Sequence, residues 1–341
     1  MSEYWKKRAT ELEKVLNKKG VASNQEIEQV FDKAEKEIQD RIDLWYLKLA
    51  KNNNLDMAGA KQLLKANELK EFKWDVDTYI KYGEENAINA NWLKELNNAS
   101  AKVHISRLEA IKLHTQQSLE KAFSEESNII ENMLKSVYTD GYGRSIYAGQ
   151  IEALEAFKIE VPSADVNKVW AADGKKLSER ITEKKISTIG NINQAITTSV
   201  ISNTDNEKTI KDITEYVKNR ISVAKSSAKT LNMTEQAYIG QKGQQDAYED
   251  LDVEKVEIIA TLDQHTTNIC QNMDGKLVEM KDVEPGVTTP PFHANCRSTT
   301  MPYFSEDFTI GETRAAKNSD GKTYKVPANM KYAEWKEKYY K

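Results

Sequence analysis

The residues best suited to chemistry lie close together between residues 261 and 303, a stretch that we call the Cys/His window. It holds both cysteines of the chain, Cys270 and Cys296, and two of the four histidines, His265 and His293. Four of the six prolines also fall here, whereas most of the remaining chain is charged, helix-favouring sequence. Because rare residue types collect in one short stretch, we expect its geometry to be specified side chain by side chain.

Three residues of the window have the types and spacing of metal ligands. His293 and Cys296 form an H-x-x-C pair, and Cys270 precedes this pair by 23 residues. Zn²⁺ prefers thiolate and imidazole ligands, and a structural zinc site takes four ligands. His265 or Asp263 would have to be the fourth ligand, whereas a catalytic site would keep water there. A different interpretation needs no metal: the cysteines are small buried apolar residues, and His293 holds the loop through a hydrogen bond.

Two enzymatic interpretations can also be built from the window. Cys270 or Cys296 could be a nucleophile that His293 activates. Asp263, His265 and His293 could instead hold a metal ion for a nuclease. Both are generic assemblies, and the chain has no P-loop, GxGxxG, HExxH or GxSxG pattern. The prolines on either side of His293 favour a rigid loop that is fixed for packing.

The elements that must position the window are mostly helices. Residues 1–160 contain no proline, and apolar residues recur there at helical spacing. The clearest stripe consists of Ile27, Val30, Phe31, Ala34, Ile38, Ile42, Trp45, Tyr46 and Leu49. It predicts a long amphipathic helix over residues 24–50, with its aromatic residues in the core rather than stacked on nucleic-acid bases. We predict further helices over residues 99–122 and 125–138, a connecting segment at 69–79, and a turn at 140–143.

The second half of the chain changes from helices to strands. Helical patterns cover residues 177–192, 210–221 and 234–248, and two glycines in the last of these leave room for close packing against a neighbour. Stretches rich in β-branched residues then predict short strands at 255–262, 276–279 and 297–301. We therefore predict a mainly α fold with a small C-terminal α+β domain. In it, long amphipathic helices are followed by a short antiparallel sheet that carries the Cys/His loop.

The composition excludes several classes of protein. The chain of 341 residues is 30% charged and 39% apolar with a net charge of −4, which does not predict a protein that coats nucleic acid along its length. No stretch approaches the roughly 18 apolar residues of a membrane span, so we expect none. The first residues are charged and lack an apolar core, which argues against a signal peptide. Two cysteines make no disulfide framework, so we expect a reducing cytoplasm with thiols free or metal-bound.

Two segments near the C-terminus carry opposite charge. Residues 244–286 hold 11 acidic and three basic side chains, and residues 311–341 hold eight basic and four acidic ones. Packing of the two segments against each other is the simpler interpretation. Contact of the basic tail with DNA or with an acidic partner is the alternative.

The Cys/His window resembles the signature of the Mu-F-type phage head morphogenesis proteins, also called phage minor head or minor capsid proteins. That family ends its domain with a strand, then D-x-x-T-C-x-x-C, a D-G turn, and P-P-x-H-x-x-C-R-C before a final strand and a proline. The residues that match in order and spacing are Asp263, Thr266, Cys270, Asp274, Gly275, Pro290, Pro291, His293, Cys296, Arg297 and Pro302. Thr234-Glu235 resembles the dipeptide that opens the family's preceding helix. Residues 327–335 resemble the tail of minor head proteins from phages of Gram-positive bacteria.

The sequence departs from the family pattern at two positions. The family's first cysteine position is Thr267 here, and the cysteine after the arginine is Ser298. If the family's cysteines bind zinc, this chain keeps the reduced set of Cys270, His293 and Cys296. The reduced set makes a metal site less favourable and predicts that the loop can fold without one. It also argues against a catalytic cysteine.

The resemblance implies a structural role in assembly rather than an enzyme, with the matched residues forming a structural loop. Such proteins associate with the portal protein in a few copies, enter the procapsid with the portal and the scaffold, and stay inside the head. We therefore expect a virion protein of the phage head interior that is present in the host cytoplasm during assembly. Scaffold, major capsid protein and packaged DNA are further expected partners, and a role in DNA packaging or ejection would follow.

The resemblance also suggests a division of the chain. We predict a helical N-terminal domain over residues 1–160, a Mu-F-like head morphogenesis domain over 161–305, and a basic C-terminal tail over 306–341. Two other functions stay open. One is a metal-dependent nuclease or toxin-like domain, and the other is a DNA-binding ejection protein that uses the basic tail.

Overall fold

The computed structural model describes residues 2–50, 66–85, 106–153, 162–163, 165–171, 173–202, 206–303, 313–317, 323–327, 334 and 337–338. Within these ranges the chain is dominated by long helices. They are α1 (Ser2–Ala50), α2 (Ala66–Glu85), α3 (Arg107–Ala153), α4 (Leu177–Ser202) and α5 (Asn206–Asp250). Strand β1 (Lys255–Ile259), helix α6 (Asn268–Met273), strand β2 (Leu277–Glu279), a 3₁₀ turn (Met280–Asp282) and strand β3 (Thr299–Pro302) follow. The predicted fold class is confirmed.

The three strands that carry the window form an antiparallel sheet in the order β2-β1-β3. Val256 of β1 pairs with Val278 of β2 and with Pro302 of β3. All three strands lie where β-branched residues predicted them, with boundaries shifted by up to three residues. A separate hairpin of β4 (Thr313–Lys317) and β5 (Thr323–Pro327) occurs in the tail, for which no strand was predicted.

The long helices correct two of the predicted boundaries. The helices predicted over residues 99–122 and 125–138, with a turn at 140–143, are the single helix α3 from residue 107 onward, and residues 99–105 lie outside the described part. Gly141 is a residue type that is common in turns, but it lies inside α3. A Cβ at this position would come within 2.9 Å of the Gly240 carbonyl oxygen. The glycine therefore permits a close helix contact. The connecting segment predicted at 69–79 is likewise wrong, because it lies within α2.

The chain folds into two compact units that each combine distant segments. The first unit contains residues 1–25, 129–177 and 229–341, and the second contains residues 26–128 and 178–228. These units group residues by spatial contact, whereas the division at residues 160 and 305 refers to sequence domains and stays a prediction.

The core of the first unit joins the start of α1 to the sheet. Trp5 is 3% exposed and meets Tyr248 of α5 edge-on, with ring centroids 6.3 Å apart. Val256, Ile259 and Met301 of the sheet belong to the same apolar cluster. The sheet is thus packed against residues of α1, α3 and α5.

The second unit buries the predicted amphipathic stripe. Ile27, Phe31, Ala34, Ile38 and Ile42 are each at most 3% exposed, which confirms these members of the stripe. Val30 is only half-buried. Phe72 of α2 is fully buried as well. The side chains of residues 45–50 lie outside the described part.

Glu126 of α3 is an unusual member of this second core, since it is 2% exposed and its Oε2 atom has no hydrogen-bond partner among the described residues. Burial raises the pKa of its carboxyl from the ordinary 4.5 to about 8. The folded state therefore keeps the proton up to about pH 8, whereas the unfolded chain releases it near pH 4.5. Stability due to the protonated carboxyl is complete below pH 4.5 and is lost as the pH rises through 8.

We therefore predict that Glu126→Gln stabilises the protein at pH 8, by roughly 4 kcal/mol at about 1.36 kcal/mol per pKa unit, and changes the stability little at pH 4.5. Denaturant unfolding at a series of pH values measures the difference in the free energy of unfolding between the variant and the parent. The buried His114, whose pKa burial lowers to about 3, contributes equally to both proteins and cancels. Glu26→Gln at an exposed position of α1 is the control and should leave the pH curve unchanged. A pH-independent effect of Glu126→Gln would contradict the buried, protonated carboxyl.

The Cys/His window as the candidate functional site

The two ends of the window are joined by an ion pair. Arg297 donates two hydrogen bonds to the Asp263 carboxylate, from Nη1 to Oδ2 at 2.6 Å and from Nη2 to Oδ1 at 2.8 Å. Burial raises the pKa of Asp263, but the hydrogen bonds and charge of Arg297 outweigh it and bring that pKa below its usual range. Oδ1 also accepts a hydrogen bond from the backbone N–H of His265 at 2.9 Å. The carboxylate is thus ionised, and its hydrogen bonds stabilise the loop.

The predicted Asp-Gly turn closes a second loop of the window. Asp274 Oδ1 accepts a hydrogen bond from the Ala260 N–H at 2.8 Å, just after β1. Gly275 has φ +74°, a left-handed conformation in which a glycine is favoured. Its N–H donates to the Ile258 carbonyl at 2.8 Å. The dipeptide therefore directs the chain from α6 into β2 alongside β1.

Three predicted metal-ligand residues come together at the centre of the window. Cys270 Sγ lies 3.1 Å from His293 Nε2 and 3.7 Å from Cys296 Sγ. The three ligand atoms lie within 4.8 Å of one another, and they form the metal-competent group found among the described residues. Cys270 and Cys296 are 2% and 5% exposed and pack with Ala260 and Phe292. The cluster is therefore a buried junction between α6 and the loop before β3.

The two positions that depart from the family pattern also lie at this cluster. The Thr267 and Ser298 hydroxyls hydrogen-bond to the Cys270 sulfur. The hydrogen bond from the Cys296 thiol lowers the pKa of Cys270 most, and these two hydroxyls add to it, although burial opposes the shift. Donation to Cys270 and burial raise the pKa of the Cys296 thiol. The geometry thus favours one thiolate, on Cys270, surrounded by donors.

A tight turn places His293 and Cys296 on the same side of the loop. The Cys296 N–H donates to the His293 carbonyl at 3.2 Å, and the Pro290–Pro291 peptide before the turn is cis. Asn295 has φ +57°, a left-handed value that asparagine tolerates better than most residues. Its N–H donates to the Thr234 hydroxyl of α5 at 3.2 Å. This hydrogen bond joins the turn to α5, at a residue 61 positions earlier in the chain.

The dipeptide Thr234-Glu235 therefore has a different role from the one that the sequence suggested. It lies inside α5 rather than at the start of a helix. While Thr234 holds the turn at Asn295, Glu235 Oε2 accepts a hydrogen bond from the Trp170 indole N–H at 2.9 Å. The Trp170 ring stacks on Tyr238 with centroids 4.4 Å apart. Sequence reasoning found the dipeptide but missed these contacts, because their partners are distant in sequence.

Helix α5 also contacts β3 through two glutamines that the sequence analysis missed entirely. Gln241 Nε2 donates to the Thr299 hydroxyl at 2.8 Å, and the Thr300 hydroxyl donates to Gln241 Oε1 at 3.0 Å. Gln244 Oε1 accepts from the Thr299 hydroxyl at 3.1 Å. Gln241 follows Thr234 by seven residues, which is two helical turns, and Gln244 follows Gln241 by three. This helical spacing from Thr234 is the signal that could have identified them.

The predicted site residues thus fall into three groups. Cys270, His293 and Cys296 form the central cluster, and Asp263, Thr266, Asp274, Gly275 and Arg297 close the loops around it. Pro291 is buried in the loop that leads to the turn. His265 is exposed and lies outside the metal-competent group of the described residues, so its role as a fourth ligand stays a prediction.

Comparison with known proteins shows similarity to one protein family and to one phage protein. Residues 191–301 match the model of the family described as Phage Mu protein F like protein. The minor head protein GP7 of Bacillus phage SPP1 is 24% identical to the chain over 250 residues, which cover 68% of this chain and 79% of that protein. No solved structure is significantly similar to the chain.

Proposed function

Since this chain is a phage minor head protein of the Mu F type, as the motif in its Cys/His window predicted, we propose that it is a structural component that binds the portal during head assembly. It enters the procapsid with the portal and stays inside the head of the virion, after assembly in the host cytoplasm. The observation that carries the proposal is the match to the SPP1 minor head protein over 79% of that protein. The match extends well beyond the motif, so it supports a shared role for the whole protein rather than a shared loop.

The geometry of the window supports a structural role. The sulfur-bearing residues are 2% and 5% exposed, so a substrate has no direct access to either thiol. Both oxygens of Asp263 bind Arg297, which leaves this carboxylate poorly placed to hold a nuclease metal. The contacts described above instead connect α5, α6 and the sheet into one rigid framework. Such a framework presents a fixed surface to a large partner.

The remaining partners follow from the same proposal. Scaffold and major capsid protein surround the portal in a procapsid, and packaged DNA passes through it, so contact with each is part of the proposed role. A contribution to DNA packaging or ejection would act through the portal. No helix in the described ranges is both long and apolar enough to cross a membrane.

Co-purification tests portal binding directly. The full chain is co-expressed with the portal protein of its own phage, treated with nuclease to remove nucleic acid, and separated by size, and the copies per ring are counted by native mass spectrometry. We expect a few copies of the chain on each portal ring, with association that survives nuclease treatment. Portal protein without the chain, and the chain without portal, are the controls.

Two other outcomes would overturn the proposal. Association that disappears with the DNA, and affinity for DNA that falls steeply as salt rises, would favour the DNA-binding ejection protein. Absence from the portal together with DNA cleavage that a chelator abolishes would favour the metal-dependent nuclease.

A further inference from the structure

The central cluster of the window has the geometry of a zinc site. A zinc ion with tetrahedral bonds of about 2.3 Å to sulfur and about 2.0 Å to nitrogen holds two sulfurs about 3.8 Å apart, and a sulfur and a nitrogen about 3.5 Å apart. The Cys270 and Cys296 sulfurs lie 3.7 Å apart, and the Cys270 sulfur lies 3.1 Å from His293 Nε2. The sulfur pair already has the required separation, and the Cys270 sulfur and the imidazole nitrogen are about 0.4 Å closer than two ligands of one ion. All three ligand atoms lie within 4.8 Å of one another.

The histidine is oriented as metal-bound histidines are. His293 Nδ1 lies 2.8 Å from the Ala294 carbonyl oxygen. Since a carbonyl only accepts, Nδ1 carries the proton in this hydrogen bond. In the neutral ring the lone pair is then on Nε2, the atom that lies 3.1 Å from the Cys270 sulfur and that would bind the metal. A ligating histidine typically donates its other N–H to a carbonyl or carboxylate, which fixes the tautomer and the ring.

The space next to the cluster fits one small oxygen ligand. A cavity of about 20 Å³ lies beside Cys296 and Ser298 and is also lined by Leu12 and Gln241. This space holds about one water molecule, which would lie on the Cys296 side of the cluster. The Ser298 hydroxyl, which hydrogen-bonds to the Cys270 sulfur, is a second oxygen within reach of the cluster.

We propose that the chain binds one zinc ion through Cys270 Sγ, Cys296 Sγ and His293 Nε2, with an oxygen from water or Ser298 in the fourth position. Both sulfurs bind as thiolates, so binding releases the proton of the Cys296 thiol, and it involves no change in oxidation state. The role is structural, because the ion would fasten α6 to the turn before β3 inside a buried junction. The proposal does not depend on portal binding, which can fail without affecting it.

Metal content tests the ligand set. The full chain is purified under reducing conditions from zinc-supplemented cells, and zinc is measured per chain by mass spectrometry of the elements. We expect about one zinc per chain, lost in Cys296→Ser and in His293→Gln. His265→Gln is the matched control, since this exposed histidine of the same window lies outside the cluster and its replacement should leave the metal in place.

Cobalt substitution tests the geometry without relying on variants that fold poorly. The metal-free parent chain is titrated with Co²⁺, and we expect thiolate-to-cobalt absorption together with the visible bands of a tetrahedral ion. Ser298→Cys adds a third thiol and should strengthen that absorption and the affinity. Ser298→Ala identifies the oxygen: unchanged affinity assigns the position to water, and a loss of about tenfold or more assigns it to the serine.

A folded parent chain that contains no zinc and gives no cobalt–thiolate absorption would overturn the proposal. Equal zinc content in the parent, Cys296→Ser and His293→Gln would overturn the ligand assignment in the same way. In either case the cluster is held by the hydrogen bonds of Thr267 and Ser298 to the Cys270 sulfur.

Discussion

Gly243→Ala is expected to destabilise the protein by roughly 3 kcal/mol, because the added methyl group has no space in a tight helix contact. A Cβ on Gly243 of α5 would lie 2.7 Å from the Tyr138 carbonyl oxygen and 3.0 Å from the Tyr142 nitrogen of α3. Both atoms belong to the backbone, so relief requires the helices to separate. Denaturant unfolding followed by tryptophan fluorescence measures the loss.

Separation of these helices would also weaken two hydrogen bonds that flank the contact. Tyr138 donates to Asp246 at 2.7 Å, and Tyr142 donates to Asp250 at 2.6 Å. Hydrogen bonds to a charged acceptor contribute about 1.5–3 kcal/mol each, so their partial loss adds to the steric term. This is why we expect an effect larger than that of ordinary overpacking.

Gly143→Ala is the matched control for the same substitution. Gly143 lies two residues from Gly141 in α3, but a Cβ there would meet nothing within 4 Å. Alanine has a higher helix propensity than glycine, so this variant should be more stable by about 0.5–1 kcal/mol. The two replacements should therefore have effects of opposite sign. If Gly243→Ala also stabilises the protein, α3 and α5 do not approach as closely as the structure has them.

The glycines show where sequence reasoning reached its limit. The cluster at residues 140–143 has the composition of a turn, and local propensity alone supports that interpretation. The structure continues the helix through it because Gly141 is needed where α3 meets the backbone of Gly240. A close contact between segments a hundred residues apart leaves no local signal that distinguishes it from a turn.

The Cys/His window was more predictable for a physical reason. Its rare residue types are separated by short loops, and the Asp-Gly and Pro-Pro steps restrict the paths that those loops can take. The meeting of Cys270, His293 and Cys296 therefore followed from types and spacing. The contacts with α5 did not, because Thr234 and Gln241 are polar residues on a polar-looking helix. Nothing in their own sequence shows that they face a loop.

The Asp263–Arg297 pair was only partly predictable from the sequence. The family motif identified both residues, but their spacing of 34 residues does not show that they bind each other. A carboxylate and a guanidinium in one window are equally compatible with a metal ligand and a separate anion site. The bidentate geometry in the structure resolves the question in favour of a loop closure.

Arg297→Met should accordingly be the most damaging single change in the window. It removes both hydrogen bonds and leaves the Asp263 carboxylate, whose side chain is 10% exposed, without its counter-charge. Loss of one partner from a buried pair costs about 3–5 kcal/mol, and we expect roughly 3 kcal/mol here because the Arg297 side chain keeps some contact with water. Urea unfolding at pH 7 provides the measurement.

The pH dependence of this loss identifies its cause. Because the folded-state pKa of Asp263 lies below its unfolded value, the stability that it contributes is present above the unfolded pKa, near 4. That stability is lost as the pH falls through the folded value. The difference in the free energy of unfolding between Arg297→Met and the parent should therefore become smaller below about pH 4. A loss that stays constant with pH would assign the effect to packing of the arginine side chain.

An exposed ion pair of the same sheet supplies the control for Arg297→Met. Lys255 lies 2.8 Å from Glu279 across β1 and β2, and both side chains are more than 40% exposed. Lys255→Met should change the free energy of unfolding little, because solvent screens an exposed ion pair. The double variant Asp263→Asn with Arg297→Met should recover part of the Arg297→Met loss, since no buried charge remains unpaired. If Arg297→Met costs no more than Lys255→Met, the closure between Asp263 and Arg297 is not what holds the window together.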